Sequence, residues 1–336
     1  MAGKKIVIYS SHIRPDGVPA YERKKAFGDY FEKKGFTLDR KLYPVTLTGK
    51  LRALVDIVAK REIVFVSMPP FRYWFLIFFP FTRTILDLRD GWSIAMESGY
   101  GGTSKPKPFM AKLARFMEKY AIKKSILTIT CTPGLQQYLE AISRNKVLLI
   151  PNSFSDSDVI LASVAADNDN CSRVRDQHNF VRGICVGKFS EYGVENVKKF
   201  LYCVSNHFSN SKYELTIVAA DEAANSWITD WLSDNNIQNV RIKFLPRVSR
   251  SDLYKLIIEH DHGVSIIRDP DYDFGTKVFD YIACGKPIFN YFKNHNNFTL
   301  YFDGYLTHNN PGILKQKIDT REHLVRKLDA YTEILR

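Results

Sequence analysis

Residues 5–35 read KIVIYSSHIRPDGVPAYERKKAFGDYFEKKG. A short apolar run, Lys5 to Ser10, leads into a polar loop holding Pro15, Asp16, Gly17 and Pro19. A helical stretch from about Tyr21 to Lys34 follows and is stopped by Gly35. An unbroken β-branched run suits a strand buried on both faces of a parallel sheet, and glycine is a common helix terminator. The stretch therefore reads as strand, loop and helix.

That unit recurs along the chain. Glu62 to Ser67, Arg83 to Leu88, Ile126 to Thr130 and Lys146 to Ile150 read as further strands, with helical segments such as Pro108 to Lys124 between them. Residues 154–179 are polar and poor in aromatics, and read as a linker or exposed loop. A second alternating series then runs from Gly183 to about Asn290, with strands at Gly183 to Val186, Tyr213 to Ala219, Val240 to Leu245, Gly263 to Ile267 and Pro287 to Asn290. A final helix is expected at Thr320 to Leu335. Strands alternating with helices imply parallel sheets covered on both faces. The expected architecture is α/β, with two Rossmann-like doubly wound domains facing across a cleft. The first spans 1–165, the second 166–315, and 316–336 forms a C-terminal helix crossing back to the first. Ligands of such sheets bind at the carboxyl ends of the strands.

The 336 residues suffice for two domains, and 45% hydrophobic with 25% charged residues is the balance of a globular protein. The formal net charge of +12 favours anionic partners: phosphorylated small molecules or an anionic membrane surface. The basic residues are scattered, and no zinc-finger or RNA-binding signature accompanies them, so nucleic acid is not expected as a partner. Five cysteines at wide spacing without a CxxC pair suit small buried hydrophobes in a reducing cytoplasm. No signal-peptide core follows Met1. The apolar segment Phe71 to Phe81 is too short to span a bilayer, and a buried helix is preferred over an interfacial anchor.

Four places could carry chemistry. In Asp269 to Pro287, DPDYDFGTKVFDYIACGKP, Gly275 and Thr276 sit where a loop turns into a helix, with Thr276 placed to cap it. Unpaired amides at a helix start favour an anion such as a pyrophosphate. Asp280, one turn on, could accept two hydrogen bonds from a ribose diol. An ordinary capped helix whose aspartate faces water is the alternative. A calcium loop fails because Phe274 stands where the sharp turn needs glycine. Gly187-Lys188, at the end of the strand opening the second half, would combine close backbone approach with a positive charge. In Leu86 to Trp92, LDLRDGW, Arg89 and Asp90 reach the carboxyl edge of a strand. There Asp90 could orient an acceptor hydroxyl or act as a base, or the two could be a structural pair. In the loop after the first strand, Gly17 could let amides approach a phosphate, and His12 or Asp16 could move a proton, although a lone loop histidine is more often inert.

These residues resemble the GT-B glycosyltransferases, specifically the family-4-like bacterial enzymes that build lipopolysaccharide, capsule and exopolysaccharide. TKVFDYIACGKPIF is similar to that group's donor signature, LDLRDGW to its N-domain stretch, and LLIPNSF to the element before its interdomain linker. ICVGKF resembles its donor-domain opening strand, and VRIKFLPRVSRSDLYKLI the element lining its nucleobase pocket. The matches keep the family's order over nearly the whole chain. The resemblance implies a nucleoside-diphosphate-sugar donor, UDP or GDP, with no further cofactor and no metal. It implies that Asp280 binds the ribose, that Gly275, Thr276 and Lys277 flank the diphosphate, that Lys188 neutralises phosphate charge and that the backbone around Arg247 contacts the base. It further implies transfer, with retention, to a hydroxyl of a growing, lipid-linked glycan on the cytoplasmic side of a membrane. The chain departs from the pattern at three points. Tyr272 replaces the first of two glutamates, the second phosphate-binding lysine has no match in SEYGVEN, and Arg89-Asp90 stands where many members have His-Asp. A GT-B epimerase or an inactive binding subunit remain the alternatives.

Overall fold

The computed structural model describes residues 4–10, 19–67, 75–78, 81–98, 108–172, 180–307 and 317–335. They fall into two compact units, one built from Met1–Gly99, Lys105–Asn152 and Asp319–Arg336, the other from Ser153–Ile318.

The first unit contains β1 (Lys5–Ser10), α1 (Pro19–Lys33), β2 (Thr37–Leu42), α2 (Leu47–Lys60), β3 (Ile63–Ser67), α3 (Phe75–Phe78), β4 (Arg83–Leu88), α4 (Trp92–Ser98), α5 (Pro108–Lys124), β5 (Leu127–Thr130), α6 (Pro133–Ser143) and β6 (Leu148–Leu149). All six strands are parallel, in the order β2-β1-β3-β4-β5-β6. Every residue of β3 is buried, as its unbroken apolar sequence requires. β2, TLDRKL, is the strand that apolar patterning misses: it forms the sheet edge, and none of its residues is fully buried. One face of the sheet packs Ile8, Phe65 and Ile85 against Phe27 and Phe31 of α1. Leu324, Val325 and Leu328 from the end of the chain join the same core. Parallel crossovers are right-handed, so reversing direction after β2 puts the helices that follow on the opposite face from α1.

The second unit contains α7 (Asp156–Ser172), β7 (Phe180–Val186), α8 (Val194–His207), β8 (Lys212–Val218), α9 (Glu222–Asn225), α10 (Trp227–Asp234), β9 (Val240–Leu245), α11 (Arg250–Glu259), β10 (His262–Val264), α12 (Lys277–Ala283) and α13 (Asn297–Tyr301). Its sheet runs β9-β8-β7-β10, and single parallel bridges carry it on through Ile288 to Leu306. That is the 3-2-1-4-5-6 order of dinucleotide-binding sheets, with the topological switch between β7 and β10. The last described segments, α14 (Arg321–Leu324), a 3₁₀ turn over Val325–Tyr331 and α15 (Thr332–Leu335), return to the first unit, so the expected single helix is broken into three pieces.

Residues 156–172 are helical rather than the loop their polarity suggests. Ser155 and Asp158 exchange bonds, with the Asp158 carboxylate accepting from the Ser155 N–H and the Asp158 N–H donating to Ser155 Oγ. This reciprocal cap starts the helix. Its inward contacts are small, Ala162 and Ala165 against Tyr254 and Ile258, and so make little apolar pattern. The second unit begins at Ser153, and a boundary at 165/166 would fall inside α7. Of the apolar segment 71–81, the helical turn α3 is described, with Leu76 and Ile77 fully buried. No helix among the described residues is long and apolar enough to cross a membrane.

Candidate functional site

In the second unit, several of the singled-out residues gather at the carboxyl edge of the sheet, beside the switch. Gly187 ends β7 at φ +88° and donates its N–H to the Val218 carbonyl at 2.7 Å. That backbone is strained for any residue with a Cβ, which is the physical reason for glycine there. Lys188 follows it, exposed. The turn behind it is held by a buried network: the Asn225 carbonyl accepts from the Ser190 N–H at 3.0 Å, and the Trp227 indole donates to Ser190 Oγ at 3.1 Å. Two strands away, β9 ends at Leu245 and Arg247 is exposed two residues on.

On the neighbouring strand, β10 gives way at Ser265 to a loop that its own aspartates organise. Asp269 accepts from the Asp271 N–H at 3.0 Å, and Asp273 Oδ1 accepts from the Gly275 N–H at 2.9 Å. Burial, and the charges of Asp271 and Asp273, raise the Asp269 pKa. Gly275 has φ +66°, and a Cβ there would lie 3.3 Å from Ser265 Oγ, which brings the loop back over the end of β10. Thr276 takes the N-cap position of α12, but with helical backbone angles and no side-chain capping bond. α12 has only seven residues, and the Gly275 amide already serves Asp273. The side-chain cap expected of Thr276 is therefore not formed.

Asp280 does not face water; it is 5% exposed. Its Oδ1 accepts from Arg250 Nη2 at 3.1 Å and from the Tyr254 hydroxyl at 3.4 Å, while Lys277 Nζ lies 3.3 Å from Oδ2. Arg250 also binds Asp158 at 2.7 Å, which ties α7, α11 and α12 together. Its guanidinium is exposed on one side, and despite burial the Asp158 and Asp280 carboxylates raise its pKa. The carboxylate expected to meet a ribose is thus oriented by a cation, a phenol and a lysine. Neither Arg250 nor Tyr254 was singled out from the sequence, although RVSRSDLYKLI places them four residues apart on one helix face.

A second feature missed in the sequence is Tyr281. Its fully buried hydroxyl accepts from the Val186 N–H at 3.0 Å and donates to the Val264 carbonyl at 2.9 Å. It thereby satisfies both strand ends where β7 and β10 part at the switch.

In the first unit, Arg89 is half-buried, with Nε 3.9 Å from Asp87, and Asp90 is exposed. The dominant ionic group beside them is Arg23 with Asp87, both essentially inaccessible. Arg23 Nη2 donates to Asp87 at 2.8 Å and Nη1 to the Ile150 carbonyl at 2.8 Å, while Ser67 Oγ donates to Asp87 at 2.8 Å. Burial opposes ionisation of Asp87, but Arg23 outweighs it and holds the carboxyl below its ordinary range. A carboxylate inside the otherwise apolar strand RTILDL was the available signal. Burial and the nearby charge of Arg89 push Lys24, next to Arg23 on α1, down to about 8. His12, Asp16 and Gly17 lie outside the described residues. Among the described residues no group of three or more His, Cys, Asp or Glu side chains is arranged to hold a metal ion.

No family model and no curated protein matches the chain. Solved structures match it along nearly its full length. A glycosyltransferase from Rickettsia africae superimposes with a TM-score of 0.58 at 12% identity, covering 100% of this chain and 89% of that one. HepE from Anabaena, solved with UDP and glucose, gives 0.56 at 12%, covering 98% and 90%. WaaG, a glycosyltransferase involved in lipopolysaccharide biosynthesis, gives 0.54 at 11%, covering 98% and 91%. At such identities the likeness speaks for the fold: two parallel-sheet units built as in the GT-B glycosyltransferases.

Proposed function

We propose that the chain is a glycosyltransferase, moving a sugar from a nucleoside-diphosphate sugar to a hydroxyl of a growing, lipid-linked bacterial surface glycan. The observation that carries the reading is the convergence of Gly187, Lys188, Gly275, Lys277 and Asp280 at the switch of a 3-2-1-4-5-6 sheet, where such sheets bind nucleotides. The relative solved with UDP and glucose supports a uridine diphosphate donor. In this reading Asp280 accepts the ribose hydroxyls and the backbone at Arg247 meets the base. Lys188 and Lys277 stabilise the charge that grows on the leaving diphosphate, without a metal ion. Asp90, with Arg89 beside it, serves the acceptor hydroxyl, and His12, Asp16 and Gly17 are assigned to the same task from the sequence alone. Retention of anomeric configuration is adopted from the resembled group, as is the setting, the cytoplasmic face of a membrane.

Titration calorimetry with UDP, GDP, CMP and dTDP tests the donor site, with UDP or GDP expected to bind. Silence toward all four would overturn the reading. A nucleotide-binding subunit without transferase activity is the second reading, favoured by Tyr272 in place of the family's first glutamate. Binding of UDP without sugar turnover, across a panel of UDP-sugars and glycan acceptors, would support it.

A further inference from the structure

A cavity of about 1120 Å³ opens in the second unit along the flank of α8, and neither Lys188, Lys277 nor Asp280 lines it. Its walls are α8 from Asn196 to His207, the loop 267–271 after β10, and residues 291–296. They are tied together at Ile267, whose carbonyl accepts from Asn196 Nδ2 at 3.1 Å and whose N–H donates to the Tyr291 hydroxyl at 3.2 Å. Tyr291 in turn stacks on Phe292 with ring centroids 4.4 Å apart. The space is larger than the roughly 300–1,000 Å³ of ordinary small-molecule pockets. It is also elongated, since the α8 wall runs about 16 Å at 1.5 Å per residue. One end lies at the carboxyl edge of the sheet. There the Arg268 guanidinium sits 4.6 Å from the ring of Tyr192, in the turn that follows Lys188.

The lining says what the groove takes. Lys199, Arg268 and Lys293 contribute fixed positive charge, against one carboxylate, Asp271, which already accepts from the Asn297 N–H at 3.0 Å. Lys199 and Lys293 enter no ion pair with a described residue, and the side-chain amides of Asn206 and Asn294 have no hydrogen-bond partner among the described residues. Amides that both donate and accept match hydroxyl groups, and the lysines call for acid groups on the same ligand. Tyr202, 44% exposed and braced edge-on by Trp231 at 4.9 Å, offers a ring against which the C–H side of a sugar can lie. A single nucleic-acid strand is a poorer match, because it needs a succession of ring platforms for its bases.

We propose that this groove binds a glycan chain carrying acid groups. The lysines meet its carboxylates or phosphates, the asparagine amides its hydroxyls, and Tyr202 covers one of its rings. That the bound chain is the growing acceptor or its product rests on the transferase reading; the binding does not.

Titration calorimetry of the full chain tests this with tetragalacturonate, which carries carboxylates, mannopentaose phosphate, which carries a phosphate, and neutral mannopentaose. At least one acidic saccharide should bind, at least about tenfold tighter than the neutral one and more weakly as salt rises, and which of the two it is names the acid group. K199E/K293E should lose at least about tenfold in that affinity, and Tyr202→Ala roughly 2- to 10-fold. Both changes are at exposed side chains, so the melting temperature and UDP affinity should be those of the wild type. Silence toward both acidic saccharides would overturn the proposal, as would equal affinity for neutral mannopentaose or for hexathymidylate. Binding that UDP displaces and that K199E/K293E leaves unchanged would also overturn it, since the saccharide would then occupy the donor site. Failure to bind UDP alongside normal saccharide binding would strike the transferase reading and leave this one standing.

Discussion

The ring of Tyr281 occupies the space a side chain would need on Gly263: a Cβ at position 263 would lie 2.2 Å from the ring carbons. Glycine in β10 lets α12 press onto the strand, and the hydroxyl of the same tyrosine then bridges the ends of β7 and β10. Gly263→Ala should therefore destabilise the second unit by at least about 1–3 kcal/mol, because neither backbone nor ring can give way. Tyr281→Phe should cost about 1–3 kcal/mol by orphaning a buried N–H and a buried carbonyl. Urea unfolding of each variant reads both effects.

Arg250 donates to Asp280, the residue proposed to meet the donor ribose. Asp280→Ala should weaken UDP binding by roughly 10- to 150-fold, the worth of one charge-assisted hydrogen bond. Arg250→Lys keeps a charge but loses the fork that reaches Asp158 and Asp280 together, so its affinity should fall with a smaller loss of stability than in Arg250→Ala. Calorimetry alongside thermal melting separates the two. Unchanged affinity in Asp280→Ala would remove the ribose assignment.

In the first unit, Arg23→Met leaves Asp87 buried without its cation and should cost about 3–5 kcal/mol. The double variant Arg23→Met with Asp87→Leu should recover part of that loss, because no uncompensated charge remains. Chemical denaturation of the four-member cycle measures the coupling.

The pH dependence has a sign on each side. Asp87 has a folded pKa below its unfolded value, so its contribution is complete above the unfolded pKa and is lost as pH falls through the folded one. Asp87→Asn should flatten the acid limb of stability below pH 3.8. Lys24 is the opposite case. With its pKa lowered from 10.5 to about 8, the unfolded chain binds the extra proton between those values, and stability rises across that window. Lys24→Met should raise the melting temperature at neutral pH and remove the rise, which melting curves recorded from pH 6 to roughly pH 11 would show.

Much of this was legible in the residues. Buried parallel strands such as IVFVS need apolar side chains on both faces, so alternation with helices could be read without coordinates. Where burial did not dictate composition, the reading failed. The edge strand β2 is charged because one side of it meets water, and α7 hides its packing face in alanines. Gly187 and Gly275 stood out as a place of close backbone approach and a loop-to-helix turn, and both adopt a positive φ.

By itself, then, the sequence determined the alternating α/β layout, the two sheets and the glycine and lysine positions of the segment 269–287, because each follows from local chemistry within a few residues. Tertiary structure alone decided that Asp280 is buried between Arg250, Tyr254 and Lys277, that Arg23 pairs with Asp87 across 64 residues, and that Tyr281 closes the switch. Those partners come from different elements, and only the packing of helix on sheet brings their charges and hydroxyls within hydrogen-bonding distance.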